Sequence, residues 1–391
     1  MSSRFDPAGV LRMAQGADPA SVVDIVANAA HEFGATDVVG YLVDFEQEVL
    51  EPLPDRATHS EIPESEPVAA SMAGRAFLTG VPVSSDRAEG VRVWVPILEG
   101  TDRTGVLALT VQQSDPAVLE ACAAAGILLG YLIATHTRCT DMFQLYRRRK
   151  AMSLAASMQW DLLPPLVLRA PGCRVAGRLE PAYEVGGDCF DYALNGGVLS
   201  LALIDAMGHG VGAASIAALA VGCYRHGRRE ARELTVLHDA IDELLEAQYA
   251  GNAFATGQLA QLDVSTGVLT WTNAGHPQPL LLRGGRVITQ LDCEAGLPWG
   301  LGFRPAAQMS KQLEPGDGLL FFTDGVVEAR AVDGSEFGVQ RLIDIAGQSA
   351  DAESPPEEVV RQIVRGVLDH RRAKLRDDAT VVLLEWDGAT D

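Results

Sequence analysis

The chain has 391 residues, 47% of them apolar, and carries 52 acidic against 31 basic side chains for a net charge of −21. That length allows about two to three domains with room for packed cores. So large a negative charge argues against nucleic acid, whose phosphates need a basic face, and against anionic membrane surfaces. The N-terminus, Met1-Ser-Ser-Arg-Phe-Asp-Pro7, lacks the apolar core of a signal peptide. The longest apolar stretch, residues 121–134, is too short to span a bilayer. A soluble, cytoplasmic protein is therefore expected. Its six cysteines show no Cys-x-x-Cys pair and read as reduced thiols rather than a disulfide framework or zinc site.

After a tail over 1–18, apolar residues from Val22 to Phe33 recur at helical spacing behind Ser21, a candidate N-cap. Strand-like runs follow at 37–43 and 49–53, separated by an acidic turn. Beyond a Pro- and Glu-rich loop, runs at 92–98 and 105–111 read as a hairpin. In this order of elements, and in the closing Pro-Ile/Gly-Val-Leu hairpin, residues 19–136 resemble a GAF domain. The resemblance implies a small sensor or dimerisation domain and carries over no ligand-binding residue. From Pro116 to about Trp160 the chain reads as mostly helical until Pro164-Pro165, with residues 137–165 as a linker helix that could transmit a signal. The basic run Arg147-Arg-Arg-Lys150 reads as a solvated helix face.

The C-terminal half, 166–389, holds strand runs at 174–179, 198–204, 254–262, 268–271, 279–282, 318–322 and 380–385. Turn signals at Ser265-Thr-Gly267 and Arg283-Gly-Gly285 make the pairing mostly antiparallel. Helices fall in blocks at 211–225, 234–249, 339–348 and 355–370. The segregation predicts an α+β fold: two mainly antiparallel sheets with helices packed outside.

Five acidic positions stand out in this half: Asp188 in Glu184-Val-Gly-Gly-Asp188, Asp205 in Asp205-Ala-Met-Gly-His-Gly210, Asp324 in Thr323-Asp-Gly325, and the pair Asp377-Asp378. Each is read as following or ending a strand-like run. Carboxylates at such strand ends suit hard divalent cations, which take oxygen ligands and keep several waters. Singly, each Asp also reads as a turn residue or cap. Cys189, in an acidic neighbourhood, reads as a core residue rather than a nucleophile.

Over residues 155–387 the chain resembles the SpoIIE/RsbU-like branch of the type-2C, metal-dependent (PPM) protein phosphatases. The motifs, in order, are Met158-Gln-Trp-Asp-Leu-Leu-Pro164, Pro181 to Asp188 with Phe190-Asp191, Asp205 to Gly210, Phe254-Ala-Thr256, Asn273-Ala-Gly-His-Pro277, Gly296-Leu-Pro-Trp-Gly300, Glu314 to Glu328, and Asp377-Asp-Ala-Thr-Val381. The resemblance implies an α-β-β-α sandwich and hydrolysis of phosphoserine or phosphothreonine on a partner protein, often a STAS-type anti-sigma-factor antagonist. It implies two Mn²⁺ or Mg²⁺ ions, with Asp205 as bridge, the Ala206 carbonyl as a further ligand, and Asp188 serving the second metal. Asp324 and one of Asp377 or Asp378 would complete the first, with Asp377 favoured and Asp378 holding the loop. Catalytic roles would fall to Asp188, Asp205, Asp324 and Asp377.

The chemistry supports this separately. Phosphate monoesters hydrolyse extremely slowly unless charge is offset and a strong nucleophile supplied, which paired metals can do. The chain departs from eukaryotic relatives at Met207, where they place a histidine; His209, two residues on, is the alternative general acid, phosphate contact or turn-packing residue. His276 reads as a turn anchor. Also open are a non-catalytic, partner-binding module that keeps the fold, a small-molecule or protein signal at the GAF-like domain, and a homodimer.

Overall fold

A computed structural model describes residues 5–53, 63–181, 183, 186–294, 296–302, 307–351, 354–371 and 378–389. The chain divides into two compact units, Met1–Ala151 and Met152–Asp391.

The N-terminal unit comprises α1 (Pro7–Ala14), α2 (Val22–His31), β1 (Thr36–Val43), β2 (Val49–Pro52), β3 (Glu66–Pro67), α3 (Met72–Thr79), β4 (Val83–Arg87), β5 (Gly90–Glu99), β6 (Asp102–Val111), α4 (Pro116–His136) and α5 (Met142–Arg147). Its strands form one sheet in the order β3-β2-β1-β6-β5-β4, with β5 and β6 paired as the expected hairpin. One apolar cluster joins α1, α2 and α4 to Val93, Val95, Leu107 and Leu109 of the sheet. A second packs Ala73, Ala76 and Phe77 of α3 against Tyr41, Trp94 and Val106. The alternation of side chains along each strand, Val93 to one cluster and Trp94 to the other, is what lets one sheet serve two cores.

Four readings of the sequence change here. The tail expected over 1–18 contains α1, whose Val10 and Ala14 are buried in the core. The linker expected as one helix over 137–165 is two short ones. Residues 137–141 separate α4 from α5, and the second piece, Leu154–Leu162, starts afresh behind a Ser153 cap that accepts from Ala156 N–H at 3.1 Å. Nor is the basic run a solvated helix face. Arg147 stacks over Phe45 at 4.6 Å, Arg149 meets Glu51 at 3.0 Å, and Lys150 meets Glu46 at 2.6 Å. Glu46 of the acidic turn after β1 and Glu51 of β2 supply the counter-charges, so the run is fastened to its own unit. The apolar stretch read as 121–134 extends to all 21 residues of α4, long and apolar enough to cross a membrane by length and composition, with 44% of its most apolar window buried.

The C-terminal unit comprises α6 (Leu154–Leu162), β7 (Val167–Ala170), β8 (Cys173–Glu180), β9 (Asp188–Asn195), β10 (Val198–Ala206), α7 (Val211–Arg229), α8 (Leu234–Tyr249), β11 (Ala255–Asp263), β12 (Val268–Ala274), β13 (Leu280–Arg283), β14 (Arg286–Gln290), β15 (Met309–Gln312), β16 (Asp317–Phe322), α9 (Asp324–Val327), α10 (Gly338–Asp351), α11 (Pro356–Arg371) and β17 (Ala379–Trp386). Its two sheets run β15-β12-β11-β10-β9 and β14-β13-β16-β17-β8-β7. All the strand pairings within them are antiparallel.

The sheets face each other across a core of Phe190, Leu201, Leu203, Trp271, Phe321 and Leu384. On the outer face of the first sheet, Ala217, Val221, Tyr224 and Ile241 of α7 and α8 pack on Ala202 and Ile204. On the outer face of the second, Leu342, Val360, Ile363 and Val364 of α10 and α11 pack on Leu320, Phe322 and Val381. The result is the expected α-β-β-α sandwich. All six cysteines are free, and Cys189 is fully buried, its thiol pushed up to about 12 by burial first and then by Asp191.

Candidate metal centre

The antiparallel register builds the site. Asp188 opens β9 and Asp205 lies one residue from the end of β10, and the two are direct cross-strand partners. Asp324 follows β16 as the first residue of α9, and Asp378 stands immediately before β17. The sequence suggested that each acidic residue follows or ends a strand. Two of them instead precede one, because in antiparallel sheets a rim is lined alternately by strand ends and strand starts.

Asp188 is buried, and its Oδ2 accepts from the Thr323 and Thr380 hydroxyls, both at 2.7 Å. The Thr323 hydroxyl in turn accepts from Thr380 N–H at 3.0 Å, tying the end of β16 to the start of β17. The carboxylate of Asp378, also buried, accepts from Gly186 N–H at 2.7 and 2.8 Å and from Asp188 N–H at 3.1 Å. It therefore holds the turn that enters β9. Burial, and then the like charges of Asp205 and Asp378, push the Asp188 carboxyl well above the usual range, while the two threonine hydroxyls pull it the other way.

Two glycines are required by contact rather than by dihedral angle. A Cβ on Gly187 would lie 2.2 Å from the Ala206 carbonyl oxygen, and one on Gly325 would lie 1.8 Å from the Asp378 carbonyl oxygen. These close approaches draw the backbone of β10 onto the Gly186–Asp188 turn and that of α9 onto the start of β17.

Residues 207–210 form the turn that follows β10, ending on Gly210 at φ 76°, ψ −156°, a conformation open essentially to glycine alone. His209 sits exposed on this turn, so packing against it is not its role. His276 is buried and bonded at both nitrogens: Nδ1 to the Thr256 hydroxyl at 2.9 Å and Nε2 to the Phe322 carbonyl at 3.2 Å. With Asn273 bracketing its backbone at 2.7 and 2.8 Å, this histidine pins the turn to the end of β16. Burial drives its pKa down to about 3, so the ring is neutral: Nε2–H donates to Phe322 and Nδ1 accepts from Thr256.

Thr323, Thr380 and Gln159 contact the acidic residues but received no role from the sequence. Gln159 on α6 is fully buried and its Nε2 donates to the Asp188 carbonyl. Arg225 of α7 donates to the Leu162 carbonyl at the end of α6 and pairs with buried Asp191 at 2.7 Å, as does Arg228. The available signals were a glutamine between Met158 and Trp160 on α6 and threonines at fixed offsets from the acidic motifs.

Among the described residues, no three His, Cys, Asp or Glu side chains come close enough together to hold one metal ion. Asp377 and Glu184 lie outside the described residues. The donor chemistry nevertheless fits a hard divalent cation. Asp188, Asp205 and Asp378 are like-charged and mutually repelling, Asp188 in a dry setting, and a cation would relieve that cost.

Residues 195–387 match the family described as Stage II sporulation protein E (SpoIIE), a span that includes Asp205, Asp324, Asp377 and Asp378 but begins after Asp188. The phosphoserine phosphatase RsbU of Bacillus subtilis is 24% identical over 267 residues, 66% of this chain and 76% of that protein. Protein IcfG of Synechocystis is 23% identical over 252 residues, 56% of this chain and 39% of that protein. Among solved structures, the SiaA-PP2C domain of Pseudomonas aeruginosa superposes with a TM-score of 0.51 at 21% identity, covering 60% of this chain and 94% of that domain. This last likeness shows the PP2C fold.

Proposed function

Taking the C-terminal unit as a SpoIIE/RsbU-like member of the PPM phosphatases, we propose that it hydrolyses phosphoserine or phosphothreonine on a partner protein with the help of divalent metal. One observation carries the reading. The β9–β10 register and the Gly186–Asp188 turn bring Asp188, Asp205 and Asp378 together, and Gly325, next to Asp324, lies against the Asp378 carbonyl, with hydroxyls and backbone N–H groups shaping the surroundings.

Asp205, the Ala206 carbonyl, Asp188, Asp324 and Asp377 would hold two ions, Mn²⁺ or Mg²⁺. Bound there, the ions would offset phosphoryl charge and supply an acidified water as nucleophile. The chain's own groups do the positioning. Thr323 and Thr380 orient Asp188, and Asp378 fixes the turn that presents it. His209 is assigned to the incoming phosphoprotein, as the acid for the departing serine or threonine oxygen.

A STAS-type anti-sigma-factor antagonist is the proposed substrate, on the strength of the likeness to RsbU. The N-terminal unit, read as a GAF-like sensor, is assigned to regulation. Its route would pass through residues 137–165, because α6 ends that segment and carries Gln159, which bonds the Asp188 backbone. The competing reading is a partner-binding module that keeps the fold without hydrolysis.

Turnover of an aryl phosphate and of a phosphorylated STAS-type protein, with Mn²⁺ or Mg²⁺ and with chelator, decides between them. Metal-dependent turnover abolished by Asp205→Asn and by Asp324→Asn is expected. Turnover unchanged by both substitutions would overturn the proposal, and no turnover with any metal would favour the binding module.

A further inference from the structure

Asp205 has a cross-strand partner on each side, Asp188 on β9 and Thr256 on β11. Leu201 and Leu203 face the core between the sheets, and Asp205, two residues further along β10, continues that face. Thr256 shares it, since residues paired across antiparallel strands stand on one face with Cβ atoms about 5 Å apart. Asp205 and Thr256 are half-buried where Asp188 is closed off, so the row runs from the dry interior to the open rim.

The direction of one hydrogen bond in this row is fixed from outside it. The Phe322 carbonyl can only accept, so the proton of the buried, neutral His276 ring stands on Nε2 and Nδ1 keeps a lone pair. Thr256 has a single hydroxyl proton, and at 2.9 Å it is committed to that lone pair. Its oxygen is therefore an acceptor toward everything else, and among the described residues no donor reaches it.

What fits beside such a row follows from its chemistry. A phosphoryl oxygen is itself an acceptor and finds no donor in Thr256 or in the Asp205 carboxylate. Water has two protons, one for each. Held by both, it turns a lone pair away from the strands and into the cleft.

We propose that Thr256 is a catalytic residue of the hydrolysis described above: its oxygen accepts from the attacking water and, with Asp205, aims that water's lone pair at phosphorus. The inference rests on the phosphatase reading. Thr256 keeps its own proton on the His276 side and neither gives nor takes one. As the bond from water oxygen to phosphorus forms and the ester bond breaks, the departing oxygen takes the proton assigned to His209. One water proton stays on the product phosphate, and the other passes to solvent, which reprotonates the histidine.

Thr256→Val and Thr256→Ser in the full chain, assayed with Mn²⁺ on an aryl phosphate, test this together with the nitrogen-15 spectrum of the metal-free chain. Thr256→Val removes the acceptor and should lower kcat by about tenfold to a hundredfold with little change in KM, and Thr256→Ser should recover most of the loss. The His276 ring should carry its proton on Nε2 in the parent and still do so in Thr256→Val. A slowed variant with that ring undisturbed is a result that a merely structural hydroxyl would not give. A proton on Nδ1 in the parent would make the hydroxyl free to donate and overturn the proposal, as would an unchanged kcat in Thr256→Val. A raised KM at constant kcat would overturn it too, placing the hydroxyl on bound phosphate. A parent without turnover on any substrate would instead overturn the phosphatase reading, and this role with it.

Discussion

Gly187 and Ala206 stand so close that a Cβ on the glycine would lie 2.2 Å from the alanine carbonyl oxygen, while Ala206 N–H donates to the Gly187 carbonyl at 3.2 Å. The end of β10 and the turn into β9 thus interlock through backbone alone. Gly187→Ala must push that carbonyl aside or open the turn, at a cost of about 1–3 kcal/mol by denaturant unfolding. If the Ala206 carbonyl is a ligand, Mn²⁺ affinity by calorimetry falls with it. Unchanged affinity would remove that carbonyl from the ligand set.

Asp188 is the residue whose charge the fold tolerates least without a cation. Its carboxyl is raised in the folded state, so its contribution favours folding below the unfolded value of about 3.9 and is lost as pH rises through the folded value. In chelator at neutral pH, Asp188→Asn should therefore melt higher than the parent by about 2–4 °C, since an amide oxygen can still accept from Thr323 and Thr380. The difference should vanish near pH 3. Added Mn²⁺ should raise the melting temperature of the parent by more than that of the variant, which keeps the ligands of the other ion. A variant less stable than the parent in chelator would contradict this.

His276 carries the opposite sign. Its folded value of about 3 lies below the ordinary 6.5, so its stabilising contribution is complete above pH 6.5 and drains away as pH falls from there toward 3. The slope is about 1.4 kcal/mol per pH unit for one group. His276→Gln should flatten that part of the stability–pH curve and slow turnover, because it releases the Phe322 carbonyl one residue before Thr323. An unchanged curve between pH 6.5 and 4 would show that the histidine does not titrate as its burial implies.

The basic run at 147–150 should resist trypsin in the parent, although it holds four consecutive cleavage residues. Two of its ion pairs, Arg149 with Glu51 and Lys150 with Glu46, contribute roughly 0.2–1 kcal/mol each. Glu46→Gln with Glu51→Gln should therefore speed cleavage there by a few-fold, and high salt should do the same to the parent. Equal cleavage rates in all three conditions would mean the run is not fastened.

Much of the C-terminal unit was legible because its strands are short, apolar and separated by glycine turns. The run read as 254–262 is β11 at Ala255–Asp263, and the helix read at 234–249 is α8 at Leu234–Tyr249. Elements weak in periodicity carry little mark in the sequence: β14 and β15 are mostly exposed edge strands, and β9 begins with an acidic residue. In the N-terminal unit, α3 follows a segment that reads as loop, and its only local marks are the Ser71 cap and the left-handed Gly80.

The acidic motifs, their order and the α+β class follow from local pattern alone, since carboxylates beside glycines and alternating apolar runs are written in consecutive residues. Which carboxylate does what is not local. That Asp378 spends both oxygens on the backbone of the Gly186–Asp188 turn, and that Asp188 is steadied by hydroxyls from two other elements, depends on contacts spanning 135 to 192 residues of chain. The basic run shows the same limit. Its charges are in the sequence, but only the fold brings Glu46, 104 residues away, to Lys150. Local sequence sets which groups a segment offers, and the sheet register decides which of them meet.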